Sequence, residues 1–195
     1  SLMTPKPEHQ SEAPRARPLD LQQWITDNAE AFEPPVSNKV VWKDSDQIFM
    51  VIRGPNARSD FHIDPFDEVF MQLKGSIRLD LMIDGKRQEH WIHEGQVMLV
   101  PANVPHSPLR PVNTWGLVIE RPRPEELFDS LVWFCDVCGD EVSRVTFHLS
   151  NIETELAAAM HNYNQDESLR TCAHGHVNGV PETFAATPPT LADVE

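Results

Sequence analysis

Between Ser76 and Ile92 the apolar side chains return every second residue. Ile77, Leu79, Leu81 and Ile83 alternate with Arg78, Asp80 and Met82, Asp84-Gly85 interrupts, and Arg87–Ile92 follows. A period of two belongs to a strand with one buried face, although Met82 breaks strict polarity. Asp-Gly between two such runs is a hairpin signal. Further short β-rich runs cover Gln47–Arg53, Glu68–Lys74, Gln96–Val100, Thr114–Glu120 and Ser143–Leu149. Many short strands at regular spacing, with helical patterns only at the ends, predict an antiparallel sandwich or barrel.

The first helical pattern places Leu21, Trp24, Ile25 and Phe32 on one face, with Asp20 as the N-cap and Pro34-Pro35 as the stop. The second starts at Ser150-Asn-Ile-Glu153, which has capping-box spacing, and its apolar face carries Ile152, Leu156, Met160 and Tyr163. Outside these elements, residues 1–18 and 177–195 are proline-containing and aperiodic, and read as flexible tails. Residues 19–176 then form one domain, which suits a chain of 195 residues.

The formal net charge of −14 argues against nucleic acid or an anionic membrane surface as partner. No apolar run approaches the roughly 18 residues of a membrane span, and the polar start is unlike a secretory signal. A cytoplasmic protein is the expectation. Three cysteines, an odd number, agree with it, because a disulfide framework pairs them. Cys135-Asp-Val-Cys138-Gly139 instead has the spacing of a metal knuckle.

Two segments carry more than packing: Gly54-x5-Asp60-x-His62-x5-Glu68-x6-Gly75 and Gly95-x5-Pro101-x-Asn103-x2-His106. Taken singly, either histidine reads as a satisfied core or surface residue. Together, His62, His106 and Glu68 make the two-imidazole, one-carboxylate set of a non-haem Fe(II) oxygenase, whose open positions admit substrate and O2.

These segments resemble the two signature motifs of the cupin superfamily, a mostly β, double-stranded β-helix (jelly-roll) barrel with a few flanking helices. Asp60 stands where many cupins place a third histidine. The runs around Arg58 and His62, Pro101–Arg110, Val118-Ile-Glu120-Arg-Pro and Trp133-Phe-Cys135-Asp-Val-Cys138 narrow the resemblance to the 3-hydroxyanthranilate 3,4-dioxygenase family. The likeness spans about Leu19 to Cys172, whereas the cupin pattern alone hosts many chemistries.

The resemblance implies an Fe(II) enzyme with O2 as co-substrate. It would open the ring of a small aromatic carboxylate to 2-amino-3-carboxymuconate semialdehyde, the precursor of quinolinate. This is a step of tryptophan breakdown by the kynurenine pathway and of NAD synthesis. It further implies a homodimer. His62, Glu68 and His106 would hold the iron. Arg58, Arg110 and Glu120 would be catalytic and touch substrate, and Val36, Asn38, Pro108 and Ile152 would line its pocket. A guanidinium fork suits a carboxylate, and Glu120 would accept a proton.

Microbial members also carry a second Cys-x2-Cys, completing a four-thiolate site. This chain has Cys172-Ala-His174-Gly175-His176, with Gly175 at the expected cysteine. Cys135, Cys138 and Cys172 therefore need either His174 or His176 to hold a second, structural Fe or Zn; otherwise the thiols are free. Two other readings stay open: a cupin enzyme for a related ring, and a non-catalytic cupin that binds a small ligand through its metal.

Overall fold

The protein is described from a computed structural model covering residues 13–34 and 37–190. A short helix, α1 (Leu21–Asp27), leads into a 3-10 turn at Ala29–Phe32. Eleven strands follow: β1 (Asn38–Val40), β2 (Ile48–Arg53), β3 (Phe61–Ile63), β4 (Glu68–Lys74), β5 (Ile77–Ile83), β6 (Lys86–Ile92), β7 (Val97–Val100), β8 (His106–Leu109), β9 (Trp115–Glu120), β10 (Asp129–Phe134) and β11 (Glu141–Phe147). Helix α2 (Glu155–Gln165) and a second 3-10 turn, Glu167–Arg170, come after them.

The strands make two antiparallel sheets, ordered β1-β2-β9-β4-β7 and β11-β10-β3-β8-β5-β6. This is the mostly β barrel that the cupin resemblance implies. Buried Met50, Phe70 and Val118 from one sheet meet Ile77, Leu79 and Leu81 from the other. Alternation positions these side chains, because Ile77, Leu79 and Leu81 all point to one face of β5. Asp80 on the opposite face is also buried, where Arg78 Nε donates to it at 2.8 Å. Asp84-Gly85 makes the expected tight turn, with both residues at positive φ, between β5 and β6.

The N-terminal segment packs on the outside of the first sheet. Asp20 caps α1 by accepting from Gln23 N at 3.0 Å. The helix stops at Asn28, short of the prolines, and the 3-10 turn carries Phe32 into contact with Trp115. Of the expected stop, Pro34 is described and Pro35 lies outside the described residues.

Three expectations need correction. The capping box at Ser150 does not form: Ser150 N and Oγ donate to Glu155, while Glu153 instead accepts from Val40 N at 3.1 Å. Helix α2 accordingly starts after Thr154, which makes no side-chain cap bond, and Ile152 sits in the turn before it. The described parts of both expected tails are docked rather than free. Ala13 is buried, with Pro14 O accepting from Trp42 Nε1 at 3.1 Å. Residues 177–190 form a strap without helix or strand, attached at Asn178 and Phe184.

Helix α2 covers β10 by stacking Tyr163 on Trp133, with ring centroids 4.3 Å apart at 9°. Strands β3 and β8 meet in the middle of the six-stranded sheet through one registered pair, His62 opposite His106. That pairing sets the site described next.

Candidate metal centre and substrate pocket

His62 and His106 are cross-strand neighbours, and Glu68 opens β4 on the facing sheet. All three are buried. Glu68 Oε2 lies 2.5 Å from His106 Nε2 and 3.4 Å from His62 Nδ1. The other ring nitrogens fix the tautomers. His106 Nδ1 is 2.9 Å from Val104 O, and a carbonyl can only accept, so that nitrogen carries the proton. His62 Nε2 is 2.6 Å from Asp129 Oδ2 and donates in the same way. The remaining nitrogens, His106 Nε2 and His62 Nδ1, are the two that face the carboxylate and would be offered to a metal.

Three donors facing one another, with Glu68 Oε2 buried and lacking a hydrogen bond, are what a cation resolves. The donor set fits a divalent first-row metal such as iron on these grounds. Burial alone would raise the Glu68 carboxyl, but His106 and His62 outweigh it and hold it low, at about 2.

One guanidinium binds the carboxylates behind this centre. Arg123 Nη2 lies 2.9 Å from Asp64, 2.7 Å from Glu120 and 2.7 Å from Asp129. Burial would lower the Arg123 pKa, but the hydrogen bonds to Asp129 and the surrounding carboxylates raise it, so the charge is held. Glu120, at the end of β9, has its pKa pushed well above the usual carboxylate range by burial and by Glu68, against the pull of Arg123. Arg123, Asp64 and Asp129 had no distinguishing motif in the sequence. Asp64 meets Arg123 across 59 residues and Asp129 meets His62 across 67, while Arg123 lies three residues from Glu120 and six from Asp129.

A cavity of about 300 Å³ opens onto the three donors, within the range of small-molecule sites. Arg58, Arg110, Glu120, Asn38, Pro108 and Ile152 line it; Val36 lies outside the described residues. Asp60, at the position where many cupins have a third histidine, fixes Arg58 through two bonds of 2.9 and 2.6 Å. Arg110 is fully enclosed, and burial beside Arg58 lowers its pKa to about 9. Gly116 on β9 leaves room for it: a Cβ there would run into Gln72 Oε1 and stand 2.8 Å from Arg110 Nη1.

Among the described residues, five buried side-chain polar atoms lack a hydrogen-bond partner. Four of them, Asn38 Oδ1, Glu68 Oε2, Arg110 Nη2 and Glu120 Oε2, belong to residues that line this cavity, and of these Glu120 Oε2 is ion-paired with Arg123 and Glu68 Oε2 faces the two histidines. Buried polar groups are normally satisfied, so the other two describe a polar ligand by its complement. They ask for an anion at Arg110 and a donor at Asn38.

The cysteine knuckle forms a second cluster on the far side of β10. Cys135, Cys138, Cys172 and His176 offer ligand atoms all within 4.8 Å of one another. Cys138 Sγ and Cys172 Sγ are 4.0 Å apart, and His176 Nδ1 lies 3.3 and 3.8 Å from Cys172 Sγ and Cys135 Sγ. Tetrahedral zinc bonds imply edges of about 3.8 Å between sulfurs and about 3.6 Å between sulfur and nitrogen. Of the two histidines, His176 is the one in range. His174 is exposed and lies 3.3 Å from Asp140. Backbone N–H groups of Cys138 and Val137 draw the Cys135 thiol down to about 6.

Residues 14–164 match the model of the 3-hydroxyanthranilic acid dioxygenase family. A protein of Bacillus thuringiensis named 3-hydroxyanthranilate 3,4-dioxygenase is 46% identical over 161 residues, covering 82% of this chain and 90% of its own. Relatives of the same name in Paraburkholderia phytofirmans and Neurospora crassa are 45% and 37% identical, over 83% and 80% of this chain and 94% and 86% of theirs. Among solved structures, a cupin-2 domain protein from Shewanella frigidimarina aligns with 50% of this chain and 91% of its own, at a TM-score of 0.42 and 21% identity.

Proposed function

The chain belongs to the 3-hydroxyanthranilic acid dioxygenase family, and from that premise we propose that it is an Fe(II) enzyme that opens the ring of 3-hydroxyanthranilate with O2. The product is 2-amino-3-carboxymuconate semialdehyde, which closes to quinolinate without the enzyme. The observation that carries this reading is the set of unpartnered polar atoms around one cavity. Its demand for an anion next to a donor matches a carboxylated ring bearing hydroxyl and amino groups.

His62, Glu68 and His106 would hold the iron. When bound, it supplies Lewis acidity toward the ring hydroxyl and a route for electrons between ring and O2. The chain's own groups do the rest. Arg110 Nη2 is free to take a carboxylate oxygen, and Arg58, held by Asp60, adds a second positive group at the cavity wall. Glu120 accepts a proton from the ring hydroxyl, for which a raised pKa suits it. Asn38 Oδ1 accepts from the amino group, and Pro108 and Ile152 form apolar walls. Val36 joins them on the strength of the family resemblance.

The second cluster is proposed as a structural Zn or Fe site of Cys135, Cys138, Cys172 and His176. Reduced thiols suit a cytoplasmic setting. Among the described residues no helix is long and apolar enough to cross a membrane. A homodimer is part of the proposal, supported by family resemblance and by exposed Val97 and Leu99 on the edge strand β7.

The test is direct. Fe(II)-loaded protein mixed with 3-hydroxyanthranilate under air should consume one O2 per turnover and form a transient near-ultraviolet chromophore. 2-Aminophenol, which lacks the carboxylate, should react with a much higher KM. Absence of O2 uptake with both rings would refute the reading, and equal KM values would refute the arginine clamp.

A further inference from the structure

The strap at residues 177–190 lies beyond the stretch that matches the family model, yet it bonds to Asn56, a residue that lines the substrate cavity. Its base is fixed at Asn178, which is buried. The Asn178 amide donates to Phe134 O at 2.9 Å and to Tyr163 Oη at 3.1 Å, and its Oδ1 accepts from Asp136 N at 3.0 Å. Six residues on, Phe184 N donates to Asn56 O at 2.9 Å.

The Phe184 ring is seated on the second sheet. The Arg78 guanidinium lies over it, 5.2 Å from the centroid, and the Trp91 ring is 6.2 Å away. Arg78 is in turn held by buried Asp80, so the seat is anchored in β5.

Asn56 joins the two arginine segments. Its Nδ2 donates to Pro108 O at 2.8 Å and its Oδ1 accepts from Arg110 N at 2.9 Å. Its backbone N–H donates to Arg110 O at 3.1 Å. Arg58 follows two residues later in the same loop, and Asn56 itself lines the cavity. The strap therefore grips Asn56, whose bonds tie the loop that carries Arg58 to Arg110.

We propose that the strap is a positioning element for the substrate's carboxylate, with Phe184 as its positioning residue. It acts through Asn56 on the arginine pair and makes no contact with His62, Glu68 or His106, so its effect falls on binding. The proposal rests on the ring-opening reading for its kinetic arm alone.

Phe184→Ala and Phe184→Tyr, both in the full-length Fe(II)-loaded protein, provide the test. In Phe184→Ala the KM for 3-hydroxyanthranilate should rise about fivefold, the equivalent of one lost hydrogen bond, with kcat within about twofold of wild type. Phe184→Tyr keeps the ring and should restore KM. Amide hydrogen exchange over residues 54–60 should be faster in Phe184→Ala and normal in Phe184→Tyr. Unchanged KM, or unchanged exchange over residues 54–60, overturns the proposal. If the wild-type protein opens no ring, the function fails by itself, and the exchange comparison still decides whether the strap holds the loop.

Discussion

At Arg123 a single buried guanidinium serves Asp64, Glu120 and Asp129. Removing it would strand buried negative charge at a cost of about 3–5 kcal/mol, so a substitution there reports on folding before chemistry. Asp129 is the sharper probe. It accepts from His62 Nε2 and so fixes which nitrogen faces Glu68. Asp129→Asn keeps the shape and drops the charge. The affinity of the centre for Fe(II) should fall about 10–100-fold in a metal titration; unchanged affinity would mean that β3 alone orients His62. The ligands themselves were legible in the sequence because His62, Glu68 and Gly75 keep a local spacing that a motif can carry. Asp129 was not, since it meets His62 across 67 residues of chain. Asp60, where many cupins place a third histidine, answers instead to Arg58 two residues away.

Among the elements, strands with alternating burial declared themselves. Strand β4 is Glu68–Lys74 both as expected and as found, because its burial alternates. Strand β10 did not, since five of its six residues are buried and no period of two survives. Strands β3 and β8 are three and four residues long and consist largely of site residues, too little for a pattern. The knuckle lies in between. Its thiols were visible, but the choice between His174 and His176 needed the turn at Gly175, whose φ of +84° brings the chain round so that His176 O accepts from Cys172 N at 2.8 Å. Elemental analysis should find two metals per chain. His176→Ala should lose one and His174→Ala neither. A single metal that vanishes in His62→Ala would refute the second site.

For the whole molecule, the charge of −14 opposes an anionic substrate at long range, while Arg58 and Arg110 attract it at close range inside the cavity. Salt separates the two, because the Debye length shrinks from about 30 Å at 0.01 M to about 8 Å at 0.15 M and buried charges are screened less. Stopped-flow or steady-state kcat/KM should therefore rise modestly, by less than about threefold, over that range; a fall would show that the mouth of the cavity already draws anions in. The same global view explains the misread ends. Ala13 at one end, and Asn178 and Phe184 at the other, are isolated anchors on aperiodic segments, and such isolated side chains leave no pattern to detect. The registered pair His62–His106 has a further consequence. It is where β3 joins β8, the seam between the halves of the six-stranded sheet. An ion held there would clasp that seam, so occupancy and folding become one equilibrium. A cell starved of the metal would then lose the polypeptide to proteolysis as well as its turnover, and the abundance of this chain would gauge the iron supply around it.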